Sequence, residues 1–279
     1  MRDEVIRTEK GSVLQHGKFN DRIYLMKLSG DDIPGIIDTL NELAQHNKYG
    51  KITARVPLWA LPLFKADGYI TEAYLPGYIK GEEDIHYVSK FLNSDRLMYL
   101  ETDMLVKLSD ILHKNKGEKL HKKLPEYHIT KIGEDDAGEV ADLFKQVFST
   151  YPFPIHDPQF ILASMRANTM YFGIKGDDGR YIAISSAEIE PDKLAAEMTD
   201  FAVLKSQRGK KLSIVLLKEM EKEMRDMNIR TLYTIARLNS PPMNKTFLRM
   251  GYKYTGTLIK NTNIAGSIES MNILFKSLK

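Results

Sequence analysis

The chain has 279 residues, which is enough for two domains or for one elaborated domain with a sizeable core. It contains no cysteine, and this excludes disulfides, thiolate zinc sites and a cysteine acyl-enzyme while fitting a reducing compartment. The 40 basic and 37 acidic residues leave a net charge of only +3, which gives no reason to expect a nucleic-acid or a membrane partner.

The N-terminal part is predicted to alternate strands with a helix. The segments 22–28 and 51–56 are rich in residues that suit strands. Between them, Asp31 and Asp32 are placed to cap a helix that ends near His46.

A polar, basic stretch from Lys114 to Lys123 follows a helix predicted over 103–112. We therefore expect an N-terminal α/β domain over 1–118 and a second domain over 119–279. A solvated linker accounts for the positive charge of this stretch, and attraction of a phosphate-bearing ligand is the alternative.

The C-terminal half is predicted to form a sheet flanked by helices. Between Leu212 and Met224 apolar residues recur at helical spacing, which indicates one side that faces the core. The predicted strands lie near 126–131, 171–175, 181–189, 194–203, 231–236, 252–259 and 268–275, and the predicted helices near 135–148, 157–168, 207–228 and 240–250.

The turn from Gln207 to Lys211 joins a strand to a helix and has the features of a phosphate site. The first N–H groups of a helix have no intrahelical partner and lie at the positive end of the helix dipole. Gly209 has no Cβ to obstruct a ligand, and Arg208, Lys210 and Lys211 supply positive charge. The turn is therefore predicted to bind a pyrophosphate, and a solvated basic helix start is the alternative.

Two motifs make the C-terminal half resemble the GCN5-related N-acetyltransferases, the GNAT superfamily. Arg208-Gly209-Lys210 is similar to the family's Arg-Gly-x-Gly turn, and Phe247 with Gly251-Tyr252 is similar to the helix ending that follows later. The resemblance implies an α/β fold with a mixed sheet, and acetyl-CoA as the cosubstrate held by the turn. It also implies coenzyme contacts from other elements, at Phe201, Ala202, Val203, Asn239, Asn244 and Phe247.

The sequence departs from the family pattern at two positions. Lys211 replaces the second glycine of the turn, although its ammonium can pair with phosphate. Phe247 stands where many members carry a tyrosine that protonates the departing thiolate, and a phenyl ring has no proton to give. Either another group or water does that work, or the domain is a non-catalytic coenzyme-binding module.

The segment from Trp59 to Tyr69 repeats the ending found at Phe247 to Tyr252, an aromatic residue followed after three positions by Gly-Tyr. No Arg-Gly turn precedes it. The N-terminal half is therefore interpreted as a smaller GNAT-like half without a coenzyme motif, a degenerate repeat. Coincidence between two ordinary β-α-β units is the alternative.

Three further segments, 151–158, 197–200 and 261–272, resemble the β-lysine N6-acetyltransferases. That resemblance implies transfer of acetyl from acetyl-CoA to the terminal amine of β-lysine, which gives Nε-acetyl-β-lysine, a compatible solute. Fold alone does not fix the acceptor. Another small amine or a protein lysine therefore stays open as the substrate.

The reaction needs a base, because a lysine-type amine has a pKa of about 10.4 and only its neutral form attacks. Glu197 is the first candidate, since the family often places a base on the strand that lines the coenzyme cleft. Strand alternation puts Glu197 and Thr199 on one face and Asp200 on the other. Asp200 is thus a rival candidate, and a charge that faces solvent is the alternative for either.

β-Lysine carries a carboxylate and a second amine, so its pocket should hold a cation or an amide and an acid. Asp157 also has the position of a helix N-cap ahead of a proline, and Asn261 and Asn263 also suit a hairpin turn. The predicted substrate contacts are Tyr151, His156, Asp157, Thr199, Asp200, Asn261, Asn263 and Glu269.

The seven histidines show no metal-ligand spacing, so no metal is expected. No apolar run is long enough to span a membrane and the N-terminus has no apolar signal core, which favours a cytoplasmic location. The expected partner is a small-molecule amine, and the sequence leaves open whether the protein is a monomer or a homodimer.

Overall fold

The computed structural model describes residues 3–98, 101–114 and 124–278. It contains two mixed β-sheets with helices packed on them, which confirms the predicted α/β fold class. The domain boundary expected at 118/119 and most of the basic stretch before Lys123 lie outside the described residues. No helix in the described parts of the chain is long and apolar enough to cross a membrane.

The first sheet has six strands in the order β1-β2-β3-β4-β6-β5, and only the β3–β4 pair is parallel. Its strands are β1 (Glu4–Arg7), β2 (Val13–Gly17), β3 (Arg22–Lys27), β4 (Lys51–Pro57), β5 (Ile70–Ile79) and β6 (Glu83–Phe91). The helices of this part are α1 (Ile36–Asn47), α2 (Leu61–Ala66), α3 (Asp95–Met98) and α4 (Thr102–Lys114).

The predicted cap of α1 is wrong, because Asp31 and Asp32 lie in a separate 3-10 turn and the helix begins at Ile36 without a side-chain cap. Asp32 instead accepts hydrogen bonds from the Thr8 hydroxyl at 2.6 Å and from the Ser12 N–H at 3.1 Å. It therefore fixes the turn between β1 and β2.

The second sheet has seven strands in the order β12-β13-β11-β10-β9-β8-β7, and only the β10–β11 pair is parallel. Its strands are β7 (Ile129–Ile132), β8 (Thr169–Lys175), β9 (Tyr181–Glu190), β10 (Ala195–Val203), β11 (Thr231–Arg237), β12 (Lys253–Ile264) and β13 (Ser267–Ser277). The helices are α5 (Ala137–Val147), α6 (Pro158–Arg166), α7 (Leu212–Asp226) and α8 (Pro241–Arg249). Every strand and helix predicted for this half is present, but α7 begins at Leu212 and not at Gln207.

Strands β1 to β6 have the same order and the same pattern of parallel and antiparallel pairs as β8 to β13. The repeated helix ending also has one geometry in both halves. The rings of Phe64 and Tyr69 meet edge to face at 5.1 Å, and those of Phe247 and Tyr252 do so at 5.0 Å. In each pair the tyrosine N–H donates to the phenylalanine carbonyl at 3.1 Å.

The two sheets pack directly on each other through β5 and β12. The buried Lys51 ammonium joins them, because it pairs with the Glu72 carboxylate at 2.7 Å and donates to the Ile259 carbonyl at 2.7 Å. The apolar core between the sheets is formed by Ala73, Leu75, Tyr78, Ile85 and Tyr87 on one side and by Ala195, Tyr233, Leu258, Ile264, Met271 and Ile273 on the other.

The two sheets approach each other closely enough at Gly256 in β12 to leave no room for a side chain. A Cβ at this position would overlap the Glu72 carbonyl oxygen and lie 2.7 Å from the Ala73 Cα. Gly256→Ala should therefore lower the free energy of unfolding by at least about 1–3 kcal/mol, the usual cost of overpacking. Gly138→Ala is the matched control, since open space surrounds Gly138 and the added methyl group favours helix α5. Equal thermal unfolding midpoints for the two variants would contradict this packing.

Candidate active site

Strands β10 and β11 separate in the middle of the second sheet. Their pairing is limited to Ala195–Glu197 with Thr231–Tyr233, and both strands continue beyond it. On its other edge β10 has a β-bulge, because Asp200 and Phe201 together oppose one residue of β9. Asp200 also has a positive φ of 53°. The bulge turns Asp200 toward the side that Glu197 faces, so the prediction that they lie on opposite faces is wrong.

A cavity of about 760 Å³ lies over this gap, between the two sheets. Strands β9, β10 and β11 form its floor, the segment around Tyr151 forms one wall, and strands β3 and β4 cover it. The polar side chains that the first sheet contributes include Arg22, Tyr24 and Arg55, none of which was predicted from the sequence. Glu188 and Glu190 on β9 were not predicted either, although their spacing of two at the end of the strand predicted near 181–189 indicates that they share a face.

Three acidic side chains face one another at the cavity. Glu188 and Glu197 are direct cross-strand partners, and Asp200 lies near both. The Glu188 side chain is accessible at the cavity, but the protein that surrounds the cavity desolvates its carboxylate. Neither Glu188 nor Glu197 has a salt-bridge partner among the described residues. Like charges placed directly opposite each other destabilise a sheet unless a proton or a cation compensates them.

The pKa values of these acids follow from their burial and mutual repulsion. Burial, and then the Asp200 charge, raises the pKa of Glu197 to about 7, although the Ile235 N–H donates to its carboxylate. Burial and the charges of Glu197 and Asp200 hold the pKa of Glu188 well above its usual range. Glu197 therefore changes its protonation state near neutral pH, where a general base is most effective.

Glu190 is a fourth acid at the cavity, and it has a cationic partner. The Arg55 guanidinium holds its two oxygens at 3.1 and 3.3 Å, and the Tyr78 and Tyr233 hydroxyls also donate to it. Burial alone would raise the pKa of Glu190, but the Arg55 charge and these hydrogen bonds outweigh it and lower the pKa. Arg55 thus comes from the first sheet to compensate a charge of the second.

Asp200 is held by two hydroxyl groups. Tyr151 donates to one of its oxygens and the Ser186 hydroxyl donates to the other at 2.6 Å. Burial nevertheless raises the pKa of Asp200. Two of the predicted substrate contacts, Tyr151 and Asp200, are therefore bonded to each other at the cavity wall, and Thr199 lies beside them.

The other predicted substrate contacts are spread out. Asn261 lines the cavity and its side-chain oxygen accepts from the Thr53 hydroxyl at 3.1 Å. Asn263 lies between the halves, where its side chain donates to the Phe19 carbonyl at 2.9 Å.

Three more of these residues lie outside the cavity lining. Glu269 is buried in a salt bridge of 2.7 Å with Arg237, whose own side chain does line the cavity. Asp157 is exposed and caps α6 by accepting from the Gln159 N–H at 2.9 Å, which is the alternative that the sequence had left open. His156 precedes it in the chain and is also absent from the lining.

The basic turn after β10 has the geometry of a phosphate site. Gly209 has a φ of 85° and Lys211 one of 63°, and open space surrounds the position of a Gly209 Cβ. Among the described residues, no acceptor forms a hydrogen bond with the backbone N–H groups of residues 209–213. The turn faces the segment 124–127 across an open cleft. These features fit the coenzyme pyrophosphate that the sequence resemblance implies.

Phe247 lies in the wall of the cavity between the sheets. It is buried and its ring meets that of Phe201 edge to face at 5.5 Å. Asn244 is not available to a ligand, because its amide donates to the Arg237 and Ser240 carbonyls and its oxygen accepts from Asn272. This buried amide orders the connection between β11 and α8, in place of the predicted coenzyme contact.

The remaining coenzyme candidates occupy different surroundings. Ala202 and Val203 pair with β9, which leaves their other edge toward the gap between β10 and β11. Asn239 lies outside the cavity lining and its side chain donates to Glu101 at 3.4 Å.

No group of three potential metal ligands occurs in the described parts of the chain, and the absence of a metal stays a prediction.

Comparison with known proteins identifies relatives along nearly the whole chain. The model of the acetyltransferase (GNAT) family matches residues 139–252. A beta-lysine N(6)-acetyltransferase of Methanococcus maripaludis is 40% identical, covering 95% of this chain and 96% of that one. A protein of the same name from Methanosarcina mazei is 30% identical, over 87% and 97% of the two chains. The N-acetyltransferase YodP of Bacillus subtilis is 33% identical, over 96% of each.

The turn makes a direct prediction for acetyl-CoA binding. Gly209→Asp should weaken the affinity for acetyl-CoA, because a carboxylate would be placed against the pyrophosphate and the positive φ would be strained. Gly179→Asp is the matched control, since Gly179 has a φ of 78° and open space around it but lies in the β8–β9 hairpin. Calorimetry that finds the same affinity for both variants would reject the turn as the coenzyme site.

Proposed function

The chain belongs to the GNAT acetyltransferase family, and we propose that it transfers acetyl from acetyl-CoA to the N6 amine of β-lysine. The observation that carries this proposal is the 40% identity, over 95% of the chain, to a protein named for that reaction. The chemistry of the cavity supports it, because the carboxylates of Glu188 and Glu197 have no salt-bridge partner among the described residues and so suit an amine substrate.

The three facing carboxylates suit an ammonium group in particular. An ammonium between Glu188, Glu197 and Asp200 would compensate their mutual repulsion and favour their ionised forms. A lysine-type ammonium must then lose a proton before it can attack. Glu197, with a pKa of about 7, is poised to accept that proton.

The transfer then forms one C–N bond and breaks one C–S bond. The N6 ammonium first gives one proton to Glu197, and the neutral nitrogen then bonds to the acyl carbon. As the C–S bond breaks, the nitrogen loses a second proton to water, and the departing sulfur takes a proton from water or from a neighbouring hydroxyl. Backbone N–H groups along Phe201 to Val203, where β10 is no longer paired with β11, would donate to the acyl oxygen as charge develops on it. Phe247 forms an apolar wall of the site, which excludes water.

The residues that would hold acetyl-CoA are those of the turn Gln207–Lys211 and of the wall at Phe201 and Phe247. The coenzyme supplies an activated acyl group there. The first sheet has acidic residues, Asp31 and Asp32, at the corresponding strand-to-helix connection. Their charge would repel phosphate. This supports the proposal that residues 1–118 are a degenerate repeat without coenzyme and 119–279 the catalytic domain.

The enclosure of the cavity favours a small amine over a protein lysine as the acceptor. Strands β3 and β4 cover the site, so an acceptor must enter beneath the N-terminal half.

We further propose that the product serves as a compatible solute, since acetylation removes one positive charge and leaves a zwitterion without net charge. A cytoplasmic location belongs to the same proposal, because both substrates are small soluble metabolites.

An acceptor panel tests the proposed reaction. With radiolabelled acetyl-CoA, β-lysine should be acetylated with a higher kcat/KM than α-lysine, spermidine or a lysine-containing peptide. A higher kcat/KM for any of the other amines would reject β-lysine as the preferred acceptor. Binding of acetyl-CoA without transfer to any amine would favour the non-catalytic alternative.

Removal of the proposed base tests the mechanism. Glu197→Gln should lower kcat with β-lysine by about 10²–10⁴ at pH 7, because it keeps size but not basicity, while acetyl-CoA affinity changes little. The deficit should narrow at high pH, where more of the amine is neutral. Glu139→Gln is the control, since Glu139 accepts from the Tyr181 N–H outside the cavity. Parental turnover by Glu197→Gln at pH 7 would transfer the role to Asp200 or Glu188.

A further inference from the structure

Arg22 is a buried cation of the cavity wall without an acidic partner. It begins β3 in the N-terminal half, its side chain is almost fully buried, and it lines the cavity with Tyr24 and Met26 of the same strand. No carboxylate among the described residues forms a salt bridge with it. Burying an uncompensated charge is costly, so such a cation calls for an anionic ligand.

The other cations of the cavity are already compensated or lie at its rim. Arg55 is paired with Glu190 at 3.1 Å, and Arg237 is paired with Glu269 at 2.7 Å. Lys27 is exposed to solvent. Within the described parts of the chain, Arg22 is therefore the buried cavity cation without a salt bridge, although the charges of Asp3 and Glu72 act on it from farther away.

The hydrogen bonds of Arg22 hold the guanidinium in place and leave one edge with an unpaired N–H donor. Nη1 donates to the Asn261 carbonyl at 2.6 Å and to the Thr262 hydroxyl at 3.3 Å, and Nη2 donates to the Gln15 side chain at 3.3 Å. The Nε–H has no partner. Nε and Nη2 share an edge of the planar group, and a carboxylate binds such an edge through two parallel hydrogen bonds.

Arg22 and the three acids line one cavity, which therefore offers opposite charges to a molecule that carries an amine and a carboxylate. The guanidinium lies over the Tyr24 ring at 5.1 Å. The charges of Glu197 and Arg22 both act on the Tyr24 phenol, whose pKa burial raises. Tyr24 thus lies within electrostatic range of the acidic cluster and of Arg22. An acceptor with its amine at Glu197 would meet a cation farther along the cavity.

We propose that Arg22 binds the carboxylate of the acceptor, so that the N-terminal half selects an amino acid over a simple diamine. This inference rests on the proposed function. It gives the first sheet a role in substrate choice, although that sheet has an acidic connection where the second has its phosphate turn. Because the contact is remote from the reacting nitrogen, it acts on substrate binding more than on the chemical step.

The experiment compares β-lysine with 1,4-diaminopentane, the diamine that lacks only its carboxylate. In the parent enzyme kcat/KM should favour β-lysine by about 10- to 100-fold, the usual worth of hydrogen bonds to a charged group. Arg22→Gln should remove most of this preference by raising KM for β-lysine, while kcat/KM for the diamine stays within about threefold. Arg22→Lys, which keeps the charge without the planar edge, should restore part of it.

Arg96→Gln is the matched control for loss of a buried guanidinium. Arg96 donates to the Asn20 carbonyl at 2.7 Å and pairs with Asp21, outside the cavity, so its loss should leave the preference unchanged. Equal loss of activity on both substrates in Arg22→Gln would show a structural role and overturn the inference, as would a parent enzyme without preference. No turnover of β-lysine by the parent would overturn the proposed function, and this inference with it.

Discussion

The mutual repulsion of enclosed carboxylates is the constraint on which the site depends. Glu188 and Glu197 are paired across two neighbouring strands, and the bulge at Asp200 brings a third acid to the same cavity. Burial and mutual repulsion raise the pKa of Glu197 to about 7 and hold the pKa of Glu188 well above its usual range. Such a site is stabilised by a proton in the free enzyme and by an ammonium when substrate binds.

The N-terminal half makes this electrostatic arrangement possible because it keeps bulk water away. It packs on the second sheet through the buried Lys51–Glu72 pair and through a shared apolar core. It also supplies Arg55, which forms a salt bridge with Glu190 and whose charge partly offsets the raised pKa values of Glu188 and Glu197. The first sheet, which has the same strand order as strands β8 to β13 of the second, thus covers the cavity.

Local sequence signals predicted the elements and the basic turn from Gln207 to Lys211, since hydrophobic period, glycine and basic residues act over short distances. The role of this turn as the coenzyme site stays a prediction. The helix endings at Phe64 and Phe247 were predicted for the same reason, and both have the same geometry. The position of Asp200 could not be predicted, because strict alternation fails at a β-bulge. Arg22 and Arg55 were missed because they reach the cavity only through packing between distant parts of the chain.

The most direct test of mutual tuning among the acids is the pH dependence of kcat/KM in an Asp200→Asn variant. The asparagine keeps the shape beside Tyr151 and Ser186 but removes the charge that raises the pKa of Glu197. In the parent enzyme kcat/KM should rise with pH through about 7 as Glu197 loses its proton. The midpoint of this rise should move to lower pH in the variant, whatever its absolute activity, because the pKa of Glu197 falls when the Asp200 charge is removed. An unchanged midpoint, or one at higher pH, would contradict it.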